Sequence, residues 1–238
     1  QIYEGSRTSK GTNIVNLLEL QNGEKVTTML RLPQDCKDGY LTMVTTAGYI
    51  KRTPLAQYAN IRKSGLIAIN LDESDSLAWT RITTGSDELI VATRNGLAIR
   101  FNESDARSMG RTARGVRCIK LSEGDTVVGV GLLRPGATLF TVTEQGKGRR
   151  SRIDDYRIQR RGGKGIRNYS RGAVAGIKVL DDTVDIIMIS MEGVVIRMHA
   201  ADINIQSRYG SGVRVMRLAE NDRVVTVART EYDDTQER

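Results

Sequence analysis

One histidine, two cysteines, one tryptophan and two phenylalanines in 238 residues rule out several kinds of chemistry. With His199 as the single imidazole, a two-His zinc site cannot be built within the chain, and a His-based triad or a His–carboxylate dyad is not expected. Cys36 and Cys118 lie far apart and form no CxxC pair, so both read as reduced, structural thiols. The scarcity of rings argues against a surface that stacks many single-stranded bases. No apolar run approaches the roughly 18 residues of a membrane span. No apolar stretch behind a basic start marks a signal peptide.

What the sequence has in quantity is positive charge and glycine. It carries 36 Lys+Arg against 28 Asp+Glu, a net charge of +8, and 24 glycines. Apolar residues at 39% and charged residues at 27% place it among soluble globular chains of one or two domains. The excess of base points to a polyanion as partner.

The glycines reveal a repeat, which decides the architecture before any single element does. A hairpin-like segment recurs with Gly48, Gly96, Gly146 and Gly193 at its turn, at spacings of 48, 50 and 47. Each follows a short β-prone run, such as Leu41 to Thr45 or Glu88 to Thr93, and Asn95-Gly96 is a strong hairpin signal. Four residues after each turn glycine stands an arginine: Arg52, Arg100, Arg150 and Arg197. A second series, Gly11, Gly65, Gly115, Gly165 and Gly212, opens further β-prone stretches, including Leu66 to Leu71, Val116 to Leu121 and Val213 to Leu218. A polar turn with an acid follows (LDESD at 71, LSEGD at 121, LAEND at 218), then one more apolar strand. In the fourth unit the series reads as carrying an insertion with Gly172 and Gly176 before a turn at Leu180. Each unit of about 50 residues thus holds about four short strands, the pattern of a propeller-like all-β fold. The units fall near 1–30, 31–84, 85–133, 134–183 and 184–230, with an acidic tail at 231–238 expected to be disordered. The chain opens in the second half of a unit, so either its two ends meet and close a ring or a blade upstream is missing, and the lack of an initiator Met favours the second expectation.

Charge follows the repeat. The segments between the two glycine series (1–11, 48–65, 96–115, 146–165 and 193–212) together carry +14, leaving −6 for the rest. Equivalent segments occupy equivalent places in a ring, so a basic belt along one edge of a disc is expected. That arrangement bends duplex DNA by phosphate contacts alone.

The sharpest motif is QRRGGKG, Gln159 to Gly165. Gly162, Gly163 and Gly165 let backbone N–H groups approach phosphate oxygens, while Arg160, Arg161 and Lys164 supply charge. A nucleotide P-loop is excluded because Gly163-Lys164 is followed by Gly165 in place of Ser or Thr. Weaker echoes recur as Arg7, Arg111 and Arg208 four residues before a second-series glycine, and as Lys10, Lys63 and Arg114 just before one.

With these motifs the sequence resembles the C-terminal domain of the DNA gyrase A subunit, from about Tyr3 to Arg229. QRRGGKG looks like the family's gyrase box, and GLAIRFNESDARSMGRTARGVRCIKLSEGDTVVGV (Gly96 to Val130) looks like one of its repeats. The corresponding topoisomerase IV protein usually keeps the repeats and loses the box. The resemblance implies a β-pinwheel whose basic rim wraps double-stranded DNA with positive handedness. It implies a domain without catalytic residues, metal or cofactor, since cleavage and the use of ATP and Mg belong to other parts of the holoenzyme. The implied partners are the rest of the gyrase A protein and the gyrase B protein in an A2B2 assembly, in the bacterial cytoplasm at the nucleoid, with no membrane. In the family the best-kept box lies in the first blade, whereas here the match lies in the fourth unit.

The expected DNA-binding residues are Gln159, Arg160, Arg161, Gly162, Gly163, Lys164 and Gly165. Lys51, Arg52, Arg62, Lys63, Arg100, Arg111, Arg114, Lys147, Arg149, Arg150, Arg197 and Arg208 of the other segments join them. The competing readings are a topoisomerase IV domain and a propeller that serves as a protein-interaction platform. Tyr58 and Tyr156 read as packing between blades, and His199 as a strand-end residue beside Arg197.

Overall fold

The computed structural model describes residues 38–60 and 65–231, together with residues 6, 8, 10, 11, 13, 24 and 26–30. Arg7, Cys36, Arg62, Lys63 and the tail after residue 231 lie outside the described residues.

Four antiparallel hairpins set the frame: β1 (Tyr40–Thr45) with β2 (Tyr49–Pro54), β4 (Glu88–Thr93) with β5 (Leu97–Asn102), β8 (Thr138–Thr143) with β9 (Lys147–Arg152), and β12 (Val184–Ser190) with β13 (Val195–His199). Each turn is closed in the same way. The glycine N–H donates to the carbonyl three residues back, as Gly96 does to Thr93 at 3.0 Å. The next residue's N–H donates to the hydroxyl of that Thr or Ser, as Leu97 does to Thr93 Oγ1 at 3.3 Å. Gly96 sits at φ +82°, and a Cβ there would lie 2.1 Å from the carbonyl oxygen of Tyr169 in the following unit, so both backbone and space demand glycine. The acid of the polar turn holds three of these hairpins. Asp75, Asp125 and Asp222 accept from the backbone N–H of Ala47, Asn95 and Glu192.

A third strand, β3 (Leu77–Thr83), β7 (Val127–Leu132), β11 (Val174–Leu180) or β15 (Val224–Glu231), pairs with the first strand of each hairpin. The fourth strand comes from the following unit. The two-residue strands β6 (Val116–Arg117), β10 (Ile166–Arg167) and β14 (Val213–Arg214) pair with β2, β5 and β9, giving the orders β3-β1-β2-β6, β7-β4-β5-β10, β11-β8-β9-β14 and β15-β12-β13. The four strands of a sheet are therefore not the four strands of a sequence unit. The long stretches expected after the second-series glycines are strand for two residues only, at 116–117, 166–167 and 213–214.

The unit expected to carry an insertion is the shorter one. From Gly165 to the start of β11 is nine residues, against twelve from Gly115 to β7, because the acidic turn is missing and Val174–Leu180 is itself the third strand. Among the described residues four short 3-10 turns, at 55–58, 103–105, 153–155 and 200–202, follow the hairpins.

β3, β7, β11 and β15 pack on one another and form the centre. A Cβ at Gly129 or Gly131 of β7 would lie 2.7 or 2.4 Å from side-chain atoms of Ile177 or Val179 on β11. β6, β10 and β14 stand at the opposite end of each sheet, on the periphery. Three apolar clusters fill the spaces between successive sheets, around Phe101 and Cys118, around Leu139 and Tyr156, and around Phe140 and Ile186. This is an all-β, propeller-like arrangement of blades.

Candidate nucleic-acid interface

Three of the four arginines that follow a hairpin glycine by four, Arg52, Arg100 and Arg150, reach into the next unit, whereas Arg197 is exposed. Arg52 donates from Nε to Ala106 O at 2.6 Å and from Nη1 to Gly85 O at 2.8 Å. Arg100 donates to Glu88 at 2.8 Å and to the carbonyls of Ile153 and Tyr156 at 3.2 Å. Arg150 reaches Ala200 O at 2.7 Å, Thr138 Oγ1 and Asp182. The carbonyls of Ala106, Ile153, Tyr156 and Ala200 belong to or follow the 3-10 turn of the next unit, so each arginine latches one blade to its neighbour. Arg197 pairs with Asp185 Oδ2 at 2.5 Å, and His199 Nδ1 stands 2.8 Å from the other carboxylate oxygen, a His–carboxylate pair that a single histidine suffices to make, against the expectation from composition.

Lys51 and Arg149 are fully buried, one residue before two of these arginines. The ammonium of Lys51 donates to the carbonyls of Ala68 and Arg111. The guanidinium of Arg149 donates to Asn168 O, to Arg208 O at 2.6 Å and to Ser207 O at 3.2 Å, and stacks on Tyr169. Lys51, Arg52, Arg149 and Arg150 are therefore withdrawn from the expected DNA-binding set, and Arg100 is largely engaged. A buried cation whose donors are held by internal carbonyls cannot reach a phosphate.

The QRRGGKG run divides between interior and surface. Arg161 donates from Nε to Asp105 O at 2.8 Å and from Nη1 to Arg117 O at 3.0 Å. Arg208 makes the same pair of contacts one unit on, to Asp155 O and Arg167 O, and Arg111 reaches Ile67 O at 3.4 Å. Gly162 N–H, expected to cradle phosphate, instead donates to Cys118 O at 2.6 Å, and Gly163 O accepts from Lys120 N at 2.8 Å. Gln159 N–H donates to Arg100 O at 2.8 Å, and its side-chain nitrogen is buried without a hydrogen-bond partner among the described residues. Gly165 (φ +76°) lies against Ala98, where a Cβ would be 2.5 Å from the carbonyl oxygen. Arg160 and Lys164 remain exposed.

Beside them the structure places three arginines absent from the expected set. Arg117, Arg167 and Arg214 each end a peripheral strand, each exposed and without an ion-pair partner among the described residues. The signal was present as Gly-Val-Arg, Gly-Ile-Arg and Gly-Val-Arg at 115, 165 and 212. It is visible once the second glycine series is read two residues further. Lys147 stands opposite Arg214 across the outer strand pair. Arg114 pairs with Asp72 at 2.5 Å and stacks on Tyr49. The outer edge thus offers Arg117, Arg160, Lys164, Arg167, Lys147 and Arg214 to solvent.

Among the described residues no group of His, Cys, Asp and Glu side chains is arranged to hold a metal ion. The Cys118 thiol is buried, which pushes its pKa up to about 12. Tyr156 is buried with its hydroxyl donating to Asn168 Oδ1 at 2.7 Å. Among the described residues no helix is long and apolar enough to cross a membrane.

The family model described as "DNA gyrase C-terminal domain, beta-propeller" matches residues 3–33, 39–84, 87–134, 137–182 and 185–231. The DNA gyrase A protein of Staphylococcus epidermidis is 38% identical over 241 residues, covering 98% of this chain and 27% of the relative. The crystal structure of the C-terminal domain of DNA topoisomerase IV superposes with a TM-score of 0.87 at 27% identity, covering 93% of this chain and 71% of that one. A structure of the DNA gyrase A C-terminal domain superposes with a TM-score of 0.82, also at 27% identity, covering 93% and 75%. The chain spans 27–29% of the length of the curated relatives it matches. With the family model matched along nearly its whole length and the blades assembled as that model describes, the chain belongs to the DNA gyrase C-terminal domain family.

Proposed function

We propose that this domain binds duplex DNA along its peripheral strands and bends it around the disc, contributing the wrap and not the chemistry. In the whole enzyme, joined to the rest of the gyrase A protein and to the gyrase B protein, that wrap presents a second DNA segment for ATP-dependent negative supercoiling. The observation that carries the reading is the row of exposed arginines Arg117, Arg167 and Arg214 on β6, β10 and β14, unpaired among the described residues, with Arg160 and Lys164 beside the middle one. Cations repeated at one height on successive blades match the phosphate track of a curved duplex, where charge positions DNA without reading bases. If roughly 6–10 phosphates are neutralised, log affinity falls with log salt at a slope of about −5 to −9.

The test is topological. A nicked circle is ligated with the chain bound and the sign of the linking change is read. A positive shift supports wrapping, whereas no shift reduces the activity to binding. Topoisomerase IV is the second reading, supported by the superposition at TM-score 0.87. The QRRGGKG run and the 38–41% identity to gyrase A proteins favour gyrase.

A further inference from the structure

A cavity of about 520 Å³ opens where all four inner strands meet. Its polar lining is cationic: Arg81 of β3, Arg134 just after β7, Lys178 of β11 and Arg229 of β15, with Trp79 beside them. Arg81 and Lys178 occupy the same register, opposite Thr42 and Phe140 of their sheets, and the equivalent residues on β7 and β15 are Gly131 and Ala228. Among the described residues no bulky side chain at that height separates the two charges.

Counter-charge reaches one side of this set: Asp181 faces Arg134 and Arg229, whereas no carboxylate among the described residues pairs with Arg81 or Lys178. Arg134 has Asp181 at 3.3 Å. Arg81 donates to the carbonyl of its neighbour Thr80 at 2.8 Å and stands 5.9 Å from the Trp79 ring, without an ion pair among the described residues. Lys178 is half-buried, with neither a carboxylate nor a hydrogen-bond partner among the described residues. Burial, with Arg81 adding to it, holds its ammonium below the usual lysine range. Two like charges brought together in a partly dry space destabilise a fold unless an anion joins them. Gly131 and Ala228 show that the fold does not need a cation at this register.

We propose that the axial cavity is a binding site for a small phosphate-class oxyanion, held between Arg81 and Lys178 with Arg229 at its edge. Its volume lies in the range of small-ligand pockets and excludes a duplex. An adjoining space bordered by Thr27, Thr28, Arg81 and Lys178 adds hydroxyl donors suited to a second phosphoryl group, so pyrophosphate is the natural probe. The site is separate from the peripheral strands and does not depend on whether they hold DNA.

The experiment is calorimetric titration of the full 238-residue chain with pyrophosphate at low ionic strength. It is repeated with Lys178→Met, with Arg81→Gln, and with the peripheral variant Arg160→Ala/Lys164→Ala. The expected result is one saturable site in the parent and in the peripheral variant, with affinity about tenfold lower or worse in Lys178→Met and Arg81→Gln. Arg81 is exposed, so Arg81→Gln carries the test if Lys178→Met fails to fold. The absence of saturable binding overturns the proposal. So does binding that survives Arg81→Gln and is lost in the peripheral variant.

Discussion

Lys147 and Arg214 stand directly opposite one another across the outermost strand pair of the third sheet, both exposed. Like charges in that position work against the sheet by a few tenths to about 1 kcal/mol, and β14 holds only two residues. The pair makes sense if a phosphate lies between them. Arg214→Gln should therefore leave the fold as stable or slightly more so at low salt, yet weaken duplex binding. Each phosphate contact removed should lessen the salt slope by about one, so Arg117→Gln/Arg167→Gln/Arg214→Gln should lessen it by about three. Filter binding across a salt series measures this. An unchanged slope in the triple variant would show that these arginines touch no phosphate.

Arg160 and Arg161 are neighbours with different tasks. Arg161 joins the loop before β10 to Asp105 and Arg117 of the preceding unit, whereas Arg160 is exposed. Arg161→Ala leaves two carbonyls without their donor and should cost about 1–3 kcal/mol in urea unfolding. Arg160→Ala should stay within about 0.5 kcal/mol of the parent and weaken DNA binding. Equal stability for the two variants would remove the distinction.

Much of this architecture is legible in the glycines, because a turn at positive φ admits little else and the four hairpins need the same turn. The passage of β6, β10 and β14 into the preceding sheet is not. A two-residue strand has no periodicity of its own, and nothing in Gly115-Val116-Arg117 names Tyr49 and Ile50 as its partners. The tally of +14 over five segments stops two residues short of Arg117, Arg167 and Arg214, and counted charge cannot separate Arg161, which binds carbonyls, from Arg160, which does not. Carbonyls left over where one blade meets the next need donors as phosphates do, and long basic side chains serve both. Arg52, Arg100 and Arg150 recur with the blade period because each blade has a turn to latch.

Gly96 and Gly193 occupy equivalent turns with φ of +82° and +83°. At Gly96 a Cβ would meet the Tyr169 carbonyl oxygen at 2.1 Å, whereas at Gly193 nothing described lies within 4 Å. Gly193→Ala should cost only the conformational penalty of about 1–2 kcal/mol. Gly96→Ala must also push apart two blades and should cost well over ~3 kcal/mol or prevent folding. Thermal melts of both variants decide it, and similar losses would show that Gly96 does not need the contact with the next unit.

Lys51 gives the fold a pH dependence whose sign follows from its burial. Burial, with Arg111 adding to it, lowers the Lys51 ammonium to about 8, while the unfolded chain keeps the ordinary value of about 10.4. Below pH 8 both states hold the proton, and the folded state bears the full cost of a buried cation. Between about pH 8 and 10.4 the folded state has released its proton and the unfolded state has not, so stability rises with pH through this window. Lys51→Met removes the titration. Urea midpoints at about pH 7 and pH 9.5 should therefore show the parent gaining on Lys51→Met as pH rises. Arg149 fills the corresponding place two units on and stays charged throughout this range. Arg149→Met should differ from the parent by the same amount at both pH values, which separates loss of a titrating group from loss of a bracket between blades. A parent-to-Lys51→Met difference that is equal at the two pH values would mean that Lys51 keeps its proton in the folded chain.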